Sequence, residues 1–311
     1  MKPISFVLVL VALTSCETLV NDIPMSRLPK ATSKLVVHSF ISPQNDRINV
    51  AVTQSAPLFS GTGVKEDIIK TAMVRISDGS NEIVLPYDPG SQLYSVDQSR
   101  FPIVAAKTYS LHVSGGTREV RANCTVPPNA PVNKSYVIDT TTKSLFTHQD
   151  TSLTLKMTWQ DIPNDTNYYR VRAVAEIEYN VPDPGVKGKR IRNQFDFSWD
   201  VASGRSEWQS DRNLDGSLFS SPTGKVFMPT FSPIQTQDTA PKPFYSKCQL
   251  ISVTMMVYNS DVNYFKYHRS LQQRMDTENP FTEPSVIHNN IEGGLGCFGA
   301  YNIGKLVYKP D

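Results

Sequence analysis

Residues 168–179, YYRVRAVAEIEY, alternate between two faces. Val171, Ala173, Ala175, Ile177 and Tyr179 share one side; Arg170, Arg172, Glu176 and Glu178 share the other. A period of two sustained over twelve residues fits a strand with one face buried and one face wet, because successive side chains of a strand point to opposite sides. A chain built around such a strand has to supply a sheet beside it and a second layer beneath its apolar face.

The rest of the chain reads the same way. LVVHSFI (35–41), INVAVT (48–53), AMVRIS (72–77), EIVLPY (82–87), YSLHV (109–113) and VRANCTV (120–126) are rich in β-branched and aromatic residues. Asp78-Gly79 and Gly115-Gly116 stand at turn positions between them. Short strands without intervening helices predict an antiparallel sandwich over 34–128. Pro127, Pro128 and Pro131 then interrupt any ladder, because proline lacks the N–H. LTLKMTW (153–159), the polar turn Asp161–Asp165 and the long alternating strand look like the centre of a fibronectin-type sandwich, with Trp159 in its core. The expectation is a mostly β chain of two Ig- or fibronectin-like sandwiches, 34–128 and 129–311. Residues 180–247 lose the alternation and are dense in Pro, Gly, Ser and Asp, which reads as an insertion, functional or partly disordered. After CQLISVTMMVY (248–258), Ser260 and Asp261 are N-cap candidates for one short helix, whose stripe Tyr264, Tyr267, Leu271 and Met275 predicts core packing.

The 311 residues carry 31 Lys+Arg against 29 Asp+Glu, a net charge of +2. That balance gives no basic footprint for nucleic acid. Lys2 precedes an apolar run, Ile4 to Leu13, and Leu13-Thr14-Ser15-Cys16 follows. The run is too short for a hydrocarbon core about 30 Å thick, so residues 1–15 read as a lipoprotein signal peptide and Cys16 as the acylated residue. Residues 16–33 then form a polar tether. Cys124, Cys248 and Cys297 remain; an odd number permits at most one intramolecular disulfide, and a small buried apolar side chain is the plainer role for each.

Chemistry is sparse. Asp211, Asn213 and Asp215, followed by Gly216, place oxygen-bearing side chains on alternate residues, as a calcium loop would. Pro222 stands where such a loop carries its bidentate Glu, and a solvated polar turn explains the residues as well. Gly294, Gly296 and Gly299 match G-x-G-x-x-G, yet only twelve residues follow, too few for a dinucleotide-binding unit; close backbone approach or a bulged strand is the better expectation. No zinc-helix or nucleophile-elbow pattern occurs, so the sequence predicts no enzyme. Trp199, Trp208 and Phe219 lie in the apparent insertion, where aromatics either anchor a partner or fold a small core of their own.

Cys16-Glu17, LVVHSFIS (35–42), INVAVTQSAPL (48–58), Ala72-Met73-Val74, LTLKMTWQD with Tyr168-Tyr169-Arg170, Asn279-Pro280-Phe281, and Asn290 to Gly296 with Phe298-Gly299 together carry a resemblance. The chain resembles a family of Bacteroidota outer-membrane lipoproteins whose domain has no known function. The resemblance implies an accessory lipoprotein of a TonB-dependent outer-membrane receptor, held to the membrane by its N-terminal lipid, and it brings no catalytic residues. The insertion (180–247) and the Gly-rich segment (293–299) are the expected interaction surfaces. An adhesion lipoprotein that binds surface glycans or acts as a spacer is the alternative, and a hydrolase with an unrecognised site a third.

Overall fold

The computed structural model describes residues 33–56, 67–144, 149–183, 186–200, 206–229, 231–236, 239–275 and 286–310. Cys16, the signal and tether segments and Asn279-Pro280-Phe281 lie outside the described residues, as does the side chain of Met275. Lys34–Ser55 and Glu66–Asp311 form one compact unit.

The first strands are β1 (Leu35–Ile41), β2 (Arg47–Gln54), β3 (Asp67–Ile68), β4 (Met73–Ser77), β5 (Glu82–Leu85), β6 (Tyr87–Asp88), β7 (Leu93–Asp97), β8 (Thr108–Gly115) and β9 (Arg118–Thr125). Then come β10 (Val132–Ser144), β11 (Gln149–Gln160), β12 (Tyr168–Asp183), β13 (Val186–Asp196), β14 (Ser198–Asp200), β15 (Trp208–Ser210), β16 (Leu218–Ser220), β17 (Thr223–Phe227), β18 (Phe231–Thr236) and β19 (Thr239–Tyr245). The chain closes with β20 (Gln249–Ser260), helix α1 (Val262–Met275) and β21 (Leu295–Tyr308).

These strands make two sandwiches that share one sheet. The shared sheet runs β13-β12-β20-β21-β1-β2-β7-β6. Over one end lies the sheet β5-β4-β8-β9, and the first core fills the space between, from Val37 and Val50 to Val74, Leu111 and Phe298. Over the other lies β10-β11-β17-β14, with Leu155, Met157 and Trp159 packed against Val171, Ala173, Ala175 and Val257. The alternation of the sequence is the burial pattern: β1 reads buried and half-buried in strict turn. EIVLPY divides at Pro86, whose carbonyl accepts from the Ser95 N–H at 2.9 Å. β11 and β12 do not pair; the turn between them carries the chain from one sheet to the other, and Trp159 meets Tyr169 edge to face at 5.7 Å.

Much of 180–227 builds the two sheets of the second sandwich, whereas among the described residues β18 and β19 pair only with each other. β17 and β16 pair with β11, and β15 pairs with β12. Phe197, Phe219 and Val226 enter the second core. These strands are three to five residues long, too short for a period of two to stand out, so their sequence resembles a loop.

β21 joins the two sandwiches. Its first six residues pair in parallel with β1, Val36↔Leu295 to Ile41↔Ala300; its last eight pair antiparallel with β20, Ser260↔Tyr301 to Val253↔Tyr308. The expected boundary after 128 therefore crosses a sheet that the C-terminal strand makes continuous. The Gly-rich segment sits inside this junction: Gly296 has φ +116°, and a Cβ there would stand 2.0 Å from the Val37 carbonyl oxygen. It is a strand core, and no interaction surface is offered by residues 296–300, all of them buried. A Cβ on Gly304 would stand 1.8 Å from the Pro131 carbonyl oxygen, where the interdomain proline segment crosses β21.

Helix α1 begins as the sequence predicts. Asp261 Oδ1 accepts from the Tyr264 N–H at 2.7 Å, a cap that satisfies one of the helix's free donors. Its Oδ2 is buried without a hydrogen bond, and burial pushes the carboxyl up to about 7. Tyr264 and Tyr267 are buried, as their stripe requires. Cys124, Cys248 and Cys297 are all free thiols, and burial pushes each upward.

Two measurements test this arrangement. Gly304→Ala should lower the unfolding free energy by at least about 3 kcal/mol, the upper range of over-packing, because the obstructing atom is backbone and cannot rotate away; an unchanged denaturation midpoint would contradict the crossing. Asp261 is easier to protonate folded than unfolded, so it loses wild-type stability as pH rises from about 4 to about 7. Asp261→Asn keeps a cap acceptor and should flatten that part of the melting-temperature profile, ending more stable than wild type near pH 8.

Candidate functional site

Three stretches distant in sequence meet beside α1: the turn 161–168, the turn 210–216 and residues 286–288. The two turns are stitched together by carboxylates. Asp161 Oδ2 accepts from the Gly216 N–H at 2.7 Å. Asp211 Oδ2 accepts from the Asn167 N–H at 2.9 Å, and Asp215 Oδ1 from the Asn164 N–H at 2.9 Å. The Tyr169 hydroxyl lies 2.7 Å from Asp161 Oδ1 and 2.9 Å from Asn167 Oδ1, with its single proton for one of them, and accepts from the Ile162 N–H at 3.1 Å.

Of the residues expected to wrap a cation, the structure keeps Asp211 and Asp215 together and replaces Asn213 by Asp161, with carboxylate oxygens of the three within 4.8 Å of one another. Asn213 is instead the turn residue, at φ +67°. Asp161 lies fifty positions upstream, and only its place in a polar turn hinted at a role. Burial, with the charges of Asp161 and Asp215, pushes the Asp211 carboxyl upward. Three carboxylates supply part of the about six to eight oxygens that calcium takes, and calcium is the cation this chemistry suits. Each already serves as an acceptor for the opposite turn, the work a polar turn does.

The aromatics resolve in favour of packing. Trp208 is 6 % exposed and Phe219 5 % exposed, so neither presents a face to a partner. Phe219 stacks on Trp159 at 5.6 Å in the second core. Trp199 is half-buried and lies flat over Gly224, where an added Cβ would meet its ring at 2.7 Å. Trp208 joins Tyr264 and Phe265 in a third, small core that seats α1 on the shared sheet. His268 stacks on Trp208 at 5.6 Å, and the Arg170 guanidinium lies 4.3 Å from the same ring while donating to the Tyr264 hydroxyl at 3.1 Å. Burial, with the Arg170 charge beside it, holds His268 down to about 3, so it stays neutral at physiological pH.

With α1 so fixed, its outer side and the two turns enclose an open groove of about 1230 Å³. Lys266 and Arg269 line it from the helix, Asp165, Arg212 and Asp215 from the turns, and the rings of Tyr168 and Phe265, 5.0 Å apart, line it too. The far end is closed by residues 286–288: the His288 N–H donates to the Ser270 hydroxyl at 3.0 Å, and its Nε2 lies 3.1 Å from Asn263 Oδ1. Tyr169→Phe should cost about 1–3 kcal/mol in thermal unfolding, because it strips an acceptor from the Ile162 N–H and a donor from the Asp161 and Asn167 oxygens at once. A melting temperature equal to wild type would mean that the turns are held together by other means.

No helix of the described residues is long and apolar enough to cross a membrane. No curated protein and no solved structure matches the chain. The family described as a domain of unknown function, DUF4249, matches residues 21–306, and the chain belongs to that family.

Proposed function

We propose that this protein is a lipid-anchored, non-enzymatic binding component of a TonB-dependent transport system in the outer membrane. The N-terminal residues carry the reading. A positive Lys2, an apolar run from Ile4 to Leu13 and Leu13-Thr14-Ser15-Cys16 are what acylation of a thiol and removal of the preceding peptide require. Burying about 0.8 kcal/mol per CH₂, several acyl chains on one residue hold a protein stably to a bilayer. A body of two sandwiches with a concave, polar and aromatic groove supports a role in holding a ligand or partner, since binding sites are concave surfaces with a few convergent polar groups. The family resemblance supplies the expected neighbour, a TonB-dependent receptor.

Cys16→Ala should move the protein from the membrane to the soluble fraction. Capture of the wild type from gently solubilised membranes should bring a stoichiometric outer-membrane barrel with it. Membrane retention of the variant would overturn the anchor, and capture of the protein alone, even after crosslinking, would overturn the transport role.

A further inference from the structure

The second sandwich has one undefended sheet edge. β10 ends the sheet β10-β11-β17-β14 and, among the described residues, pairs only with β11. A strand bonded on one side leaves alternate N–H and C=O groups pointing away from the sheet, a template for another strand. The other edges are guarded. β14, β5 and β6 are three, four and two residues long. β9 and Glu292 exchange two backbone hydrogen bonds, through Arg121, at 3.2 and 2.8 Å. β13 carries Lys189, Arg190 and Arg192, and β18 and β19 contain Pro233, Pro241 and Pro243. β10 is thirteen residues long and has no proline. Its bulge between Asn133 and Ser135 guards only the first residues, and Asp139 to Lys143 are exposed one after another.

β10 also matches itself. Two identical antiparallel strands are related by a two-fold axis normal to the sheet, so residues opposite each other share a face. Val137, Asp139, Thr141 and Lys143 share the outer face, because Ile138 and Thr140 between them pair with the core residues Leu155 and Leu153. With the axis at Thr141, Asp139 of each copy stands opposite Lys143 of the other, Thr141 opposite Thr141, and Thr140 opposite Thr142. Opposite charges and threonine pairs directly across are favourable cross-strand neighbours. Among the described residues neither Asp139 nor Lys143 is already in an ion pair. Lys143 lies across the hairpin from Asp150, so in the pair its ammonium sits between two carboxylates. An axis at Asp139 would instead set two carboxylates against each other, so charge selects the register.

We propose that β10 pairs with β10 of a second copy of this chain, antiparallel about Thr141, and joins two β10-β11-β17-β14 sheets into one continuous sheet across a homodimer.

The test is sedimentation equilibrium of the full-length protein in detergent, which should show the wild type passing from monomer to dimer with concentration. Asp139→Lys sets ammonium against ammonium at two places and should weaken the dimer about tenfold. Asp139→Lys/Lys143→Glu reverses both partners and should restore it. Thr141→Cys gives a second readout that leaves these charges in place. Directly opposite Cα atoms lie about 4.5–5.5 Å apart, within the reach of a disulfide, so added copper phenanthroline should link this variant into a covalent dimer. Thr154→Cys, on β11 and one strand away from the axis, should stay unlinked. A wild type that is monomeric throughout, a dimer that Asp139→Lys leaves intact or the double variant fails to restore, or equal linking of the two cysteine variants would overturn the proposal.

Discussion

The structure depends on one strand being shared. β21 pairs with β1 through Ala300 and with β20 from Tyr301 onward, so the same strand closes the first core with Phe298 and flanks the second with Leu306. Such a step in a sheet leaves backbone groups without a neighbouring strand, and leaving them bare would cost as much as a lost buried hydrogen bond each. Side-chain amides take the place of the missing strands. Asn290 donates to the Phe298 carbonyl at 2.8 Å and accepts from its N–H at 3.0 Å. Gln44 accepts from the Ile303 N–H at 3.1 Å and donates to Asn302 at 2.8 Å. The linker between the sandwiches is held in the same way, by Asn302 to the Pro127 carbonyl and Asn259 to the Asn129 carbonyl. Pairing of residues about 260 positions apart closes a very long loop, so this contact belongs to the slow, non-local part of folding.

The groove inherits its shape from that junction. Gly299 lets the backbone of Tyr264 lie directly on β21, which seats α1 where β20 ends. The third core then fixes the helix from beneath, with Trp208 between Arg170 and the His268 ring. Asp161, Asp211 and Asp215 tie the two acidic turns to each other.

Much of the fold was legible. The strict alternation of 168–179, the strands of 35–126, the Asp261 cap and the buried Trp159 all follow from local periodicity and capping chemistry, which act over a few residues. The shared strand was not. Nothing local tells Leu295–Ala300 that its partner is Val36–Ile41: the glycines announce a close backbone approach without naming what approaches. The strands of 186–227 were hidden for a different reason, being short or exposed on both faces, so burial imposes no period on them. Trp208 and Phe219 looked available for a partner because sequence does not show that a loop-like region builds half of a sheet. Asp161 joined the acidic turn only through the fold.

The claim on which the rest stands is that β21 makes the two sandwiches one cooperative body. Native-state amide hydrogen exchange measures it directly, residue by residue along β1, β20 and β21. The account predicts that the slowest amides of both cores exchange together, with one opening free energy and one dependence on denaturant. Two separate opening energies, with β1 protected while β20 exchanges or the reverse, would contradict it.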